Sequence, residues 1–260
     1  MKIRSRGSKT ATLAVVVLLL AASAFADEVK VITSGAFTAA YLQLVPEFER
    51  TTKHKVVTTF GASMGTGPNT IPSRLERGEA ADVVILAGSA LDELIKQGKV
   101  IAGSRVDLVR SRMGMAVRAG APKPDISSVE ALKQTLLRAK SVAISSSASG
   151  LYLSNEMFPR LGIAEQMKGK TKISEEAAGT LVVSGDAEIA FQQISELLPV
   201  AGIDYVGPLP DGVQRETVFA AGIVSGAQSP DAARVLLKFF ASSAAAPVIR
   251  KTGLEPLTAP

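Results

Sequence analysis

The sequence predicts an α/β protein of two lobes with a hinge and a cleft between them. Three observations predict it. Short β-branched runs alternate with amphipathic segments, the alternation stops at a Pro-rich stretch and restarts beyond it, and polar, glycine-containing turns follow the strands. The chain has 260 residues, 47% apolar and 20% charged, which suits a packed core and excludes disorder as its main state. It has no cysteine and a single histidine, which excludes disulfides, thiolate chemistry and His-rich metal sites.

The first element is an expected export signal over residues 1–26. Lys2, Arg4, Arg6 and Lys9 open it, Ala11 to Ala22 is apolar, and Ala24-Phe25-Ala26 places small residues at the cleavage-determining positions. The apolar run is shorter than the roughly 20 residues that cross a bilayer. Cleavage after Ala26 is therefore expected, leaving a periplasmic, non-spanning chain of 234 residues. That chain keeps 25 basic against 24 acidic residues, so the high isoelectric point belongs mostly to the signal. With no tryptophan and three tyrosines, it lacks the basic, aromatic-laced stripe of a nucleic-acid binder.

Val29–Thr33 reads as a strand, and Phe37, Tyr41, Leu44 and Phe48 mark a helix over Phe37–Arg50. Lys55–Phe60 and Asp82–Leu86 are further strands, and Ser89–Gln97 is a helix stopped by Gly98. This rhythm predicts a parallel sheet with right-handed crossovers. Arg112–Val117 is a strand ended by Ala119-Gly120-Ala121-Pro122-Lys123-Pro124, after which the alternation restarts. A helix capped by Ser127 or Ser128 runs to Ala139, followed by the strand Val142–Ile144 and a helix over Leu151–Arg160. Glu176–Val183, Ile189–Phe191, Ile203–Val206 and Val218–Val224 come next, and Asp231–Ala241 and Ala245–Lys251 close the chain as helices. The predicted first lobe is 27–118 with 214–260, and the second is 119–213.

Open α/β sheets bind ligands at the carboxyl ends of their strands. The turns expected there are Ser34-Gly35-Ala36, Gly61–Asn69, Ala87-Gly88-Ser89, Ser145–Gly150 and Gln192-Gln193. They donate hydrogen bonds without bringing much charge, which suits a small anion. His54 precedes its strand, on the side away from this cleft, and reads as a solvated turn residue. Gly169-Lys170-Thr171 lacks the glycine spacing of a phosphate loop and follows a helix. Glu175-Glu176 reads as the acidic first turn of a helix. Arg112 lies on an apolar strand beside the lobe boundary, either as a surface arginine or as a fork that grips a carboxylate.

The order Val31-Ile32-Thr33-Ser34-Gly35-Ala36-Phe37, then Thr59-Phe60-Gly61-Ala62-Ser63, then Gly78-Glu79-Ala80-Ala81-Asp82-Val83-Val84 resembles the periplasmic molybdate-binding protein family. Ser149-Gly150-Leu151-Tyr152 and Gly185-Asp186-Ala187-Glu188-Ile189 extend the likeness over nearly all of 27–256. The resemblance implies a type II periplasmic-binding fold. The pocket departs from the molybdate pattern: Ala36 stands where a ligand-binding serine is expected, Ser63 keeps the second serine, Ser149 falls at an alanine and Gln193 near a tyrosine. The loop from Phe60 to Asp82 is longer by the piece Met64-Gly65-Thr66-Gly67-Pro68, which argues for a larger ligand.

The chain is similar to the branch of this family that includes periplasmic aconitate isomerase. That likeness implies interconversion of trans- and cis-aconitate by an allylic proton shift with no cofactor and no metal. The expected ligand-binding residues are Ser34, Gly35, Ala36, Ser63, Met64, Arg112, Ser149, Tyr152, Gln192 and Gln193. The proton-transfer group is left open among Tyr152, Glu196 and a lysine. The rival expectation is a receptor that binds a molybdate-like oxyanion or organic anion and passes it to an ABC permease. In either case the expected partner is a small anion, and the chain is expected to be a monomer.

Overall fold

The computed structural model describes residues 26–175 and 177–257. The expected export signal therefore lies, except for Ala26, outside the described residues, as does Glu176. The strands are β1 (Glu28–Thr33), β2 (Lys55–Phe60), β3 (Val83–Ala87), β4 (Val106–Ser111), β5 (Met113–Arg118), β6 (Val142–Ser145), β7 (Thr171–Ser174), β8 (Ile189–Gln193), β9 (Ile203–Pro208), β10 (Thr217–Ile223) and β11 (Glu255–Pro256). They form two sheets, ordered β11-β4-β10-β3-β1-β2 and β7-β6-β8-β5-β9.

The first sheet is buried on both faces, as its β-branched strands require. Val29, Val31 and Ile85 pack with Phe37, Tyr41 and Phe240 on one side. Ile32, Val84 and Leu86 pack with Ile71, Leu91 and Leu94 on the other. The helix Gly35–Thr52 buries Phe37, Tyr41, Leu44 and Phe48, each contributing about 1.5–3 kcal/mol of apolar burial. It ends at Lys53, which takes a left-handed conformation and donates its N–H to Glu49 O. Asp82, just ahead of β3, accepts from the backbone N–H groups of Lys30, Gln228 and Ser229 and so ties three segments of the lobe together.

Both sheets are mixed, where a parallel sheet was expected. β1 runs parallel to β2 and β3, but β10 is antiparallel to β3 and β4, and β5 is antiparallel to β8 and β9. The reason is connectivity. β5 and β10 are each the first strand laid down after the chain changes lobes, so no crossover helix dictates their direction. β5 also corrects the expected lobe boundary. Residues 113–118 were assigned to the first lobe, yet Met113 pairs with Gln193 in the second sheet, so the chain crosses at Arg112. It returns between β9 and β10.

In the second lobe Ser128 caps the helix Val129–Arg138 by accepting from Ala131 N–H at 3.1 Å. The helix expected over Leu151–Arg160 begins earlier. It comprises Ala148–Tyr152, a π-helical turn Leu153–Met157 and Phe158–Arg160. Pro159 removes a donor from the regular ladder at this point, which favours the wider turn. The early start brings this helix's N-terminus to the space between the lobes. Among the described residues, no helix is long and apolar enough to cross a membrane.

Candidate functional site: the interlobe cleft

A cleft of about 1090 Å³ opens where the carboxyl ends of β1, β2, β6 and β8 converge. The first lobe contributes Ser34-Gly35-Ala36 and the loop after β2, and the second contributes Ser145–Gly150, Gln192, Gln193 and Glu196. Three side-chain hydrogen bonds join the lobes around it. Ser63 N–H donates to Ser147 Oγ at 3.2 Å, Ser195 Oγ donates to Ala36 O at 2.7 Å, and Ser111 Oγ donates to Gln193 Oε1 at 2.8 Å.

The lining is built for an anion by dipoles. Ser34 is extended at the N-terminus of the 35–52 helix, and its side chain makes no capping bond to the first-turn amides. Those amides carry the positive end of an 18-residue helix to the cleft. Ser147 stands in the same relation to the helix that starts at Ala148. Ser34 Oγ and Gln193 Nε2 are buried with no hydrogen-bond partner among the described residues. An unmet buried polar atom costs ~1–3 kcal/mol, and both residues line the cleft. Among the described residues, no lysine, arginine or histidine lines it, and its ionisable side chains are Glu175 and Glu196.

Glu196 is the unusual group. It is half-buried on the short helix Ile194–Leu197, which follows directly on β8. Gln192 Oε1 accepts from Ala178 N–H at 2.7 Å, which fixes the amide so that Nε2 donates to Glu196 Oε1 at 2.9 Å. Burial pushes the Glu196 carboxyl up from its ordinary 4.5 to about 7, only partly offset by the Gln192 hydrogen bond. Across the cleft, Gly35 touches it so closely that any side chain there would collide with Glu196 Oε1. The lack of a side chain at position 35, not its ordinary helical backbone, permits this approach, since a Cβ there would push the Glu196 carboxyl aside.

Of the expected ligand-binding residues, Ser34, Gly35, Ala36, Ser63, Ser149, Gln192 and Gln193 line the cleft. Ser149 Oγ shares a hydrogen bond with Ser145 Oγ at 2.9 Å, and Ser63 Oγ accepts from Ala87 N–H at 3.0 Å, which leaves the Ser63 hydroxyl proton free to donate. Arg112 does not line the cleft. Its guanidinium pairs with Asp211 at 2.7 Å. Ser111 faces Gln193 on the cleft side, so in extended chain the next residue turns away. Met64 and Tyr152 line a second cavity of about 410 Å³ instead, together with the expected turn Ala87-Gly88-Ser89. Met64 also packs on the core, and Tyr152 is buried with its hydroxyl donating to Val213 O at 2.8 Å. Tyr152 is thereby removed from the cleft chemistry.

Elsewhere, His54 is half-buried, stacked on Phe48 and accepting from Asp27 N–H at 3.2 Å, so it is a packed residue and not a solvated one. Gly169-Lys170-Thr171 joins a helix to β7, with Lys170 donating to Leu137 O. Glu175 is exposed and lies ahead of the helix Ala178–Ser184, outside its first turn. The turns at 61–69 and 145–150 were legible as polar linings. That Ser146 and Ser147 of one meet Gly65 and Ser63 of the other was not, because nothing local encodes that contact.

Comparison with known proteins bears on this arrangement. The aconitate isomerase of a Pseudomonas species is 45% identical over 254 residues, covering 95% of this chain and 97% of that protein. The molybdate-binding protein ModA of Azotobacter vinelandii is 28% identical, covering 90% of this chain and 92% of that one. Among solved structures, the periplasmic molybdate-binding protein of Azotobacter vinelandii superposes with a TM-score of 0.71 at 21% identity, covering 87% of this chain and 98% of that chain. The fold is thus the two-lobed fold of periplasmic binding proteins. The description "bacterial extracellular solute-binding protein" matches residues 29–255, and the chain belongs to that family.

Proposed function

We propose that this protein is a periplasmic aconitate isomerase that interconverts trans- and cis-aconitate in the cleft between its lobes. The observation that carries the reading is the near-half identity to an aconitate isomerase along almost the entire chain. The cleft supports it on chemical grounds. The substrate is a planar, elongated tricarboxylate, larger than a tetrahedral oxyanion, and the loop after β2 supplies Gly65, Thr66 and Gly67 to the lining of a cleft with room for it. The first-turn amides of the 35–52 helix, with Ser34, Ser63 and Gln193, are the groups proposed to hold the carboxylates. Arg112 lies outside the lining and is left out of this set, its guanidinium being paired with Asp211. The hinge lies at the two crossings, Arg112 and the segment 209–216.

The reaction is a shift of one proton along an allyl system, so substrate and product have the same atoms. Incubating the purified protein with trans-aconitate and following cis-aconitate by chromatography tests it. Many product molecules per protein molecule are expected. Tight binding of trans-aconitate, citrate or molybdate with no product would replace the isomerase with a transport receptor.

A further inference from the structure

We propose that Glu196 is the single acid–base group of the reaction, taking the proton from the substrate methylene and returning it to the far allylic carbon. The inference rests on the isomerase reading and deepens it. Its basis is placement: of the two ionisable side chains lining the cleft among the described residues, Glu175 is exposed, whereas Glu196 is half-buried and held from two sides. Gln192 anchors Oε1 with an amide that Ala178 orients, and Gly35 lets that same oxygen sit against the first turn of the 35–52 helix. Among the described residues, the hydrogen bond to Glu196 engages Oε1 and not the second carboxylate oxygen. Glu196 therefore stands beside the helix end proposed to hold a substrate carboxylate, the position from which the neighbouring methylene is reached.

The chemistry balances on this one residue. Ionised Glu196 removes a proton from the methylene carbon, and the C–H electron pair delocalises through the allyl system into the flanking carboxylates. Helix amides and hydroxyls stabilise the added charge. The neutral carboxyl then delivers its proton to the former vinylic carbon, and the double bond comes to rest between the central carbon and the former methylene. Glu196 is regenerated as a carboxylate. A group that must both take and give a proton works best when its pKa lies near the working pH. Burial moves Glu196 in that direction. Among the described residues, no ion pair on Glu196 complicates this. The elements packed against its helix carry Arg118 on β5, Asp204 and Tyr205 on β9, and Tyr41, Glu47, Glu49 and Arg50 on the 35–52 helix, Tyr41 being paired with Thr58, while its own contacts, Gln192 and Gly35, do not titrate.

The rival role is binding: a neutral Glu196 would donate its hydrogen to a substrate carboxylate. The two roles have opposite signs. A base gives a kcat/KM that rises with pH through about 7, whereas a donor gives one that falls. Glu196→Gln keeps a donor but cannot accept the proton. It is expected to lower kcat by about 10²–10⁴-fold while trans-aconitate affinity by calorimetry stays within a few-fold. Glu196→Asp, which draws the carboxylate back by one methylene, is expected to lose part of kcat and keep the rising limb, and it serves if the glutamine variant does not fold. Wild-type protein that forms no cis-aconitate would overturn the isomerase reading and this role with it. An active wild type with an equally active Glu196→Gln, or with a falling limb, would overturn the role of Glu196 alone.

Discussion

At the residue scale, the cleft depends on three polar side chains kept in positions a stability-driven sequence would avoid. Ser34 Oγ and Gln193 Nε2 are buried without partners among the described residues, and Glu196 has a carboxyl that burial pushes toward its neutral form. Glu196 yields a prediction with a defined sign. Its folded pKa of about 7 lies above the ordinary 4.5, so the folded state binds the proton more tightly than the unfolded one. The stability this contributes is complete below about 4.5 and is lost as pH rises through about 7, where the charge must form in the buried site. Glu196→Gln removes that penalty. Calorimetric melting is expected to show the variant above the wild type at pH 8.5, by about 2–4 °C for each kcal/mol relieved, with the two nearly equal at pH 4.5. Equal melting temperatures at pH 8.5 would mean that Glu196 ionises without cost. The sequence could name Glu196 but not single it out, because what distinguishes it is contact with Gly35 in the other lobe. Arg112 misled for the complementary reason: its charge is visible in the sequence, but the side of the chain it takes is not.

At the element scale, legibility followed length and caps. The helices Gly35–Thr52 and Pro230–Phe240 carry several turns of apolar periodicity and were readable to within two residues. Ile71–Glu76, Ala164–Lys168 and Ile194–Leu197 are too short for a period to emerge, so the helix that carries Glu196 was hidden. β4 was hidden too, since Asp107 and Arg110 break its apolar pattern. The loop Met64–Pro68 was expected to be an extension, and Gly65 within it rests against the second lobe. Gly65 has φ of 118°, and a Cβ added there would lie 2.9 Å from Ser146 O of the opposite lobe. Gly65→Ala therefore meets both backbone strain and a backbone collision. It is expected to lift the loop off the second lobe and weaken trans-aconitate binding at least several-fold, while circular dichroism and the core remain unchanged. Calorimetric affinity equal to wild type would show that the seat of this loop on Ser146 does not shape the site.

At the scale of the whole molecule, the chain passes between lobes at Arg112 and returns after β9, so the first lobe is assembled from both ends of the sequence. β10 and β11 both pair with β4 although the whole second lobe separates them from it in sequence, so these pairings close a long loop. The cleft lining is likewise split, and the Ser63–Ser147, Ser195–Ala36 and Ser111–Gln193 hydrogen bonds join the halves without a single interlobe charge among them. Such a joint is weak enough to open for a ligand, and a ligand bonded to both sides adds the coupling it lacks. A ligand that binds only the folded protein stabilises it by about 2.7 kcal/mol at a hundredfold excess over its Kd, which at about 2–4 °C per kcal/mol raises the melting temperature by about 5–11 °C. Scanning calorimetry with saturating trans-aconitate is expected to show one transition moving by that amount. If two transitions appeared and only one moved, the ligand would be held by a single lobe. The amides of the 35–52 helix and the glutamines of β8 could then not be acting on the same molecule, because they stand on opposite walls.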